Sequence, residues 1–204
     1  MIAGRVWGIV LAAGESRRFG SHKLLAPFRG HPLAWHAFTA AAQAVERGLL
    51  EGAVAVCARE DTAVEAMAVA AHLKTTTSPD PTMAASLRCG LSFLAEQLEP
   101  PDAALIFLAD QPLMLPGQID AVLAAAAGSS ALVCRPRYQA TPDAPGHPVL
   151  LRRAAWNTAD ALAGDQGFRE LIASGRLSLE ICELPGACPD IDTPADLTTL
   201  EALD

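Results

Sequence analysis

A chain of 204 residues that is 51% hydrophobic and 19% charged carries enough apolar side chain for a buried core, which excludes disorder. Its net charge of −8 argues against the basic face that a nucleic-acid partner requires, and no stretch approaches the length of a membrane span. Five cysteines without a Cys-x-x-Cys pair fit buried free thiols in a reducing cytosol better than zinc or disulfides.

The chain alternates apolar strands with amphipathic helices. Val6 to Leu11 is the first expected strand. Arg5 before this run gives it a faint look of a signal peptide, but the run is short and flows directly into a glycine-containing loop, so a cytoplasmic protein is expected. That loop reads Leu11-Ala12-Ala13-Gly14-Glu15-Ser16-Arg17-Arg18-Phe19-Gly20-Ser21-His22-Lys23. Glycines let a backbone turn tightly and approach a ligand, loop N–H groups can point at phosphate oxygens, and Arg18 and Lys23 add positive charge. The pattern is neither a Walker A loop, which needs Gly-Lys-Ser/Thr, nor a dinucleotide fingerprint, which needs Gly-x-Gly-x-x-Gly. Lys23 is one of only two lysines in the chain.

Beyond the loop, Leu33 to Arg47 is expected to be helical with Gly48 as its stop, and Ala53 to Cys57 to be a strand. Asp61 is placed to cap a helix running through His72, followed by a short strand at Lys74 to Thr77. Ser86 to Leu98 reads as a helix closed by Pro100-Pro101. Ala103 to Ala109 is apolar on both faces, as in a parallel sheet. Pro116 to Ala127 is helical and Ala131 to Arg135 is a strand. The rhythm then breaks at a proline-containing loop from Arg137 to Pro148, followed by the strand-like Val149 to Leu151, one or two helices to Gly175, and a strand at Leu179 to Leu184. Thr193-Pro194-Ala195-Asp196 is a capping box opening a last helix to Leu203. The βαβα order predicts a single α/β domain over residues 1–204, a doubly wound, mostly parallel, Rossmann-like sheet with its ligand at the carboxyl ends of the strands.

Two acidic positions carry chemistry. Asp110 directly follows the buried run Leu105 to Ala109, where a carboxylate is costly without a partner or a cation; Mg²⁺, which takes one or two carboxylates plus substrate phosphates, would satisfy it. The alternative, a cap for the helix at Pro116, needs a shorter spacing. In the second cluster, Asp190-Ile191-Asp192-Thr193, either Thr193 or Asp192 could cap the last helix, and capping by Thr193 leaves Asp192 to point elsewhere.

The loop resembles the Leu-Ala-Ala-Gly-x-Ser-x-Arg-x-Gly-x-x-Lys motif of the MobA-like nucleoside-triphosphate transferases, matched at Leu11, Ala12, Ala13, Gly14, Ser16, Arg18, Gly20 and Lys23. Asp110-Gln111-Pro112 resembles that family's metal-binding Asp-x-Pro, and Asp190 to Leu197 its C-terminal segment, whose second aspartate, here Asp192, completes the metal site. Gly146-His147-Pro148 and Met83 to Leu91 are similar to stretches of a narrower subgroup, the molybdenum cofactor cytidylyltransferases, although Thr82 stands where that subgroup has glycine. The resemblance implies nucleotide binding by the loop and Ser86, acceptor binding by His147, a Mg²⁺ ion on Asp110 and Asp192, and catalysis by Arg18, Lys23 and Asp110. Arg88, on the same stretch, could equally be a helix-surface charge. Ala13, in place of the glycine of guanylyl enzymes, points to CTP. The implied reaction moves CMP from Mg-CTP to the terminal phosphate of molybdenum-molybdopterin, with an apo molybdenum hydroxylase or its chaperone as protein partner. Three readings stay open beside it: another nucleotide or phosphorylated acceptor, a non-catalytic chaperone that binds the finished cofactor, and a flavin-binding redox protein on the same fold.

Overall fold

The computed structural model describes residues 4–14 and 19–202. Its elements are β1 (Val6–Ala12), a single 3₁₀ turn (Lys23–Leu25), the two-residue strands β2 (Pro27–Phe28) and β3 (His31–Pro32), α1 (Leu33–Glu46), β4 (Gly52–Ala58), α2 (Thr62–Ala70), β5 (Lys74–Ser78), α3 (Met83–Ala95), β6 (Ala103–Leu108), α4 (Pro116–Ala127), β7 (Val133–Tyr138), β8 (Val149–Arg152), a 3₁₀ segment (Arg153–Ala161), α5 (Phe168–Ala173), β9 (Leu179–Leu184) and α6 (Pro194–Glu201).

Seven strands form one sheet in the order β5-β4-β1-β6-β8-β7-β9. Every pairing is parallel except those of β8, which runs antiparallel to both β6 and β7. The central strands are apolar on both faces because both faces are covered. On one face, α1, α2 and α4 pack over Val10, Ala55, Leu105 and Phe107. On the other, α3 and the 3₁₀ segment pack over Ile9, Val56, Ile106 and Leu151, with Trp156 inserted among them. A third apolar group joins Phe19, Phe28 and Leu33 to Ile191 and Leu200, so α6 is clamped beside the β2–β3 hairpin.

The helix ends differ in detail from the sequence reading. The helix expected from Ser86 begins at Met83, because Thr82 is its cap and accepts from the Ala85 N–H at 3.4 Å. Thr82 has φ −68° and ψ 151°, so the position where the resemblance implies glycine needs no left-handed residue. The helix expected to run from Asp61 through His72 closes at Ala70, with Asp61 as its cap. The β2–β3 hairpin was not among the expected elements.

Candidate functional site

Four segments meet at the carboxyl ends of β1 and β6. The first is the loop leaving β1, described as far as Gly14; Ser16 and Arg18 lie outside the described residues. Where the loop becomes describable again, Gly20 has φ +76°, a left-handed conformation that glycine adopts without strain. The second is the 3₁₀ turn that presents Lys23. The third is the turn after β6, carrying Asp110 and Gln111. The fourth is the stretch before α6, carrying Asp190 and Asp192.

This last stretch is held at three points. The Ile191 N–H donates to the Asp110 carbonyl at 3.0 Å, and the Ile191 side chain is fully buried. Asp190 and Asp192 flank it and line the cleft. The capping box then fixes the turn from the other side: the Asp196 carboxylate accepts from the backbone N–H groups of Thr193 (2.7 Å) and Asp192 (3.1 Å) and from the Thr193 hydroxyl (2.8 Å). Thr193 accepts in return from the Asp196 N–H. Capping therefore falls to Thr193, and Asp192 turns to the site. Asp110 likewise caps nothing: α4 is started by Leu115 and by the side chain of Gln118.

The Lys23 ammonium lies between the two aspartates, 2.8 Å from Asp110 Oδ2 and 3.2 Å from Asp192 Oδ1. Its side chain is only 12% exposed. Burial works to lower its pKa, but Asp110 and Asp192 outweigh burial and hold it above the ordinary lysine range. The other oxygen of Asp110, Oδ1, is buried with no hydrogen-bond partner among the described residues. A buried, unpartnered carboxylate oxygen is expensive, and a hard cation would satisfy it. Among the described residues no cluster of three or more His, Cys, Asp or Glu surrounds a common point. Two carboxylates do suffice for Mg²⁺ or Mn²⁺ that also binds substrate phosphates, so Asp110 and Asp192 fit such an ion.

Two cavities adjoin this centre. The first, of about 460 Å³, is lined by Leu11, Ala12, Ala13, Gly14, Lys23, Ser86, Asp110 and Asp192. It gathers all the described loop, lysine and aspartate candidates except Gly20, which is exposed and outside its lining. Ser86 is buried and donates its hydroxyl proton to the Thr82 carbonyl at 3.0 Å, which leaves its lone pairs to accept. The second cavity, about 540 Å³, opens beside the first and shares Leu11, Met83, Leu108, Asp165 and Asp190 with it. His147 lines it. Gly146 makes this wall possible, since a Cβ there would lie 2.3 Å from the Pro136 carbonyl oxygen. The His147–Pro148 peptide is cis, and the Tyr138 hydroxyl donates to the His147 carbonyl at 2.7 Å. Burial, with some help from Arg135, pushes the His147 imidazole down to about 4, and its Nδ1 is buried without a partner among the described residues.

Sequence reasoning missed Gln111, Asp190 and Arg135. Gln111 is buried and donates from Nε2 to Asp190 Oδ1, leaving its own Oε1 unpartnered among the described residues. Burial and then Asp110 push the Asp190 carboxyl above the usual range. The three buried, unpartnered side-chain atoms found among the described residues, Asp110 Oδ1, Gln111 Oε1 and His147 Nδ1, all belong to residues lining these two cavities. Unsatisfied buried polar atoms are rare in folded proteins, and their concentration here makes these cavities the candidate ligand site. Arg88 is structural: its guanidinium ties α3 to the residue that ends the 3₁₀ segment, donating to the Leu162 carbonyl at 2.8 Å.

Residues 8–180 match the model of the MobA-like NTP transferase domain. Rv0371c from Mycobacterium tuberculosis H37Rv superposes with a TM-score of 0.82 at 27% identity, over 98% of this chain and 100% of that one. The same protein in a complex with manganese gives 0.80 at 25% identity, with the same coverage. CMP:2-keto-3-deoxy-manno-octonic acid synthetase complexed with CTP shares the fold, with a TM-score of 0.73 at 15% identity over 98% of each chain. No curated protein matches the sequence.

Proposed function

The chain belongs to the MobA-like NTP transferase family, a family of nucleotidyltransferases, and from that premise we propose that it moves CMP from Mg-CTP to the terminal phosphate of molybdenum-molybdopterin. The observation that carries this reading is the Lys23 ammonium between Asp110 and Asp192 at the mouth of a cavity walled by Ala12 to Gly14.

In this reading the nucleotide occupies the smaller cavity, with its base against Ala12, Ala13 and Ser86. A divalent ion held by Asp110 and Asp192 would neutralise and orient the α-phosphate; the manganese complex of Rv0371c supports a metal of this kind. The acceptor enters from the second cavity, past His147. An acceptor phosphate oxygen bonds to the α-phosphorus while the bond from that phosphorus to the β-phosphate oxygen breaks, and the electron pair leaves with pyrophosphate. The acceptor is already an anion, so no side chain has to remove a proton. The work left to the protein is alignment and charge neutralisation. Lys23, Arg18 and the N–H groups of the Gly14–Gly20 loop hold the β- and γ-phosphates and stabilise the leaving group. An apo molybdenum hydroxylase or its chaperone would take up the product.

The test is pyrophosphate release with each of four nucleoside triphosphates, with and without molybdenum-molybdopterin. Acceptor-dependent release with CTP is the expected result, and a preference for GTP overturns the cytidylyl assignment. Ala13, which is buried against the same cavity, should contribute to the choice. Ala13→Gly should lower the ratio of kcat/KM for CTP over GTP without inverting it, since one methyl group in a pocket is worth about 1–3 kcal/mol. An unchanged ratio would mean that the base is read elsewhere.

A further inference from the structure

Arg135 stands out among the arginines. Five described arginines are half-buried: Arg5, Arg88, Arg135, Arg137 and Arg152. Four of them are engaged. Arg5 bonds Glu51 and Glu99, Arg88 and Arg152 bond backbone carbonyls, and Arg137 pairs with Glu183 at 3.0 Å. Arg135 has neither a hydrogen bond nor an ion pair among the described residues, yet it lines the second cavity. Partial burial of an uncompensated cation is costly. Its surroundings raise the cost, because burial and then the neighbouring Arg137 and Arg169 all act against its charge. Arg169, from α5, lines the same cavity and also has no partner among the described residues.

The charges in this cavity are ordered. Asp165 and Asp190 line both cavities and so lie at their junction, whereas Arg135 and Arg169 line only the second. The unpartnered Nδ1 of His147 is in the same wall as Arg135. Aliphatic side chains, Leu87, Ile106, Val149 and Ile172, complete the cavity. The chamber is thus apolar, with positive charge on the side away from the metal-binding carboxylates.

We propose that the acceptor is a molecule with apolar faces that carries a second anionic group besides the phosphate that reacts, and that Arg135, assisted by Arg169, selects it by binding that group. The proposal rests on the reading of the second cavity as the acceptor site. It makes Arg135 a specificity determinant that has no part in handling the nucleotide.

The experiment compares a fluorescent pterin bearing a carboxylate with the same pterin lacking it, titrated against the protein in the presence of Mg-CTP. The wild type should bind the carboxylated probe at least tenfold more tightly than the neutral one. Arg135→Gln should abolish that preference, Arg135→Lys should restore part of it, and Arg137→Gln should leave it intact. Calorimetry of Mg-CTP binding, expected to be the same in every variant, shows that the nucleotide half is folded. A wild type without charge preference, or an Arg135→Gln variant that keeps it, overturns the proposal. The two readings fail separately. If transfer to molybdenum-molybdopterin is absent while the charge preference persists, the identity of the acceptor is wrong and the role of Arg135 stands. If transfer proceeds while Arg135→Gln binds like the wild type, the reverse holds.

Discussion

Lys23 faces two demands, because it neutralises Asp110 and Asp192 in the free protein and is assigned to the phosphates in the complex. An ammonium at 2.8 Å from one carboxylate and 3.2 Å from the other stands where a divalent ion would have to approach. Metal without nucleotide must therefore compete with Lys23. Lys23→Gln should tighten Mn²⁺ binding to the nucleotide-free protein, read by the loss of the free-ion signal in electron paramagnetic resonance; unchanged or weaker binding would show that the ammonium does not hold the metal's place. Lys23→Ala should also lower kcat by about a hundredfold, the usual cost of one preorganised charge contact in the transition state. A drop of less than about threefold, well below the ~1.4 kcal/mol of a tenfold effect, would remove Lys23 from the phosphate site. Asp110→Asn keeps the shape of the side chain and removes its charge. It should abolish metal-dependent pyrophosphate release while the circular dichroism spectrum stays that of the wild type, and retained turnover would sink the metal assignment.

Among the elements, α6 owes its position to its cap. Asp196 draws three donors onto one carboxylate oxygen and so fixes the backbone on which Asp192 stands. Asp196→Ala should cost about 1 kcal/mol, a typical value for a lost cap, seen as a lower urea midpoint. It should also weaken Mn²⁺ binding, because Asp192 loses its anchor. Normal Mn²⁺ affinity in a destabilised variant would separate the cap from the site. This capping box was readable in Thr193-Pro194-Ala195-Asp196 because its bonds are local. The strands β1, β4 and β6 were readable for the same kind of reason, since a run apolar on both faces has few other places to go. The hairpin of β2 and β3 was not, because two-residue strands leave no periodicity. Nor was the direction of β8, whose short apolar run fits a parallel or an antiparallel neighbour equally well. At the site, Asp110 and Lys23 were legible as charges out of place next to an apolar strand. Arg135 was hidden because an arginine within a strand is ordinary until its lack of a partner among the described residues is seen.

The whole molecule inherits an acid sensitivity from its second cavity. His147 is held neutral by burial, with a pKa near 4 against an ordinary 6.5. Between these values the unfolded chain takes up a proton that the native protein does not, so stability falls as pH drops from about 6.5 to about 4. The contribution is on the order of 3 kcal/mol. His147→Gln should flatten this part of the profile, measured as urea midpoints at neutral pH and near pH 4. Equal slopes in variant and wild type would show that the imidazole is not kept neutral in the native state.

The reversed strand has an evolutionary consequence. Because β8 runs against β6 and β7, the chain enters it at the same edge of the sheet where β1 and β6 end. The turn that carries Gly146 and His147 therefore reaches the cleft from the opposite half of the sheet to the one that holds the loop after β1. Insertions or replacements between β7 and β8 can reshape one chamber while β1 and β6, which lead into Ala13 and Asp110, keep their register. Under the proposed assignment of the two cavities, the donor of the transferred group and its recipient would be read by separately mutable stretches of chain, and a descendant could exchange one without relearning the other.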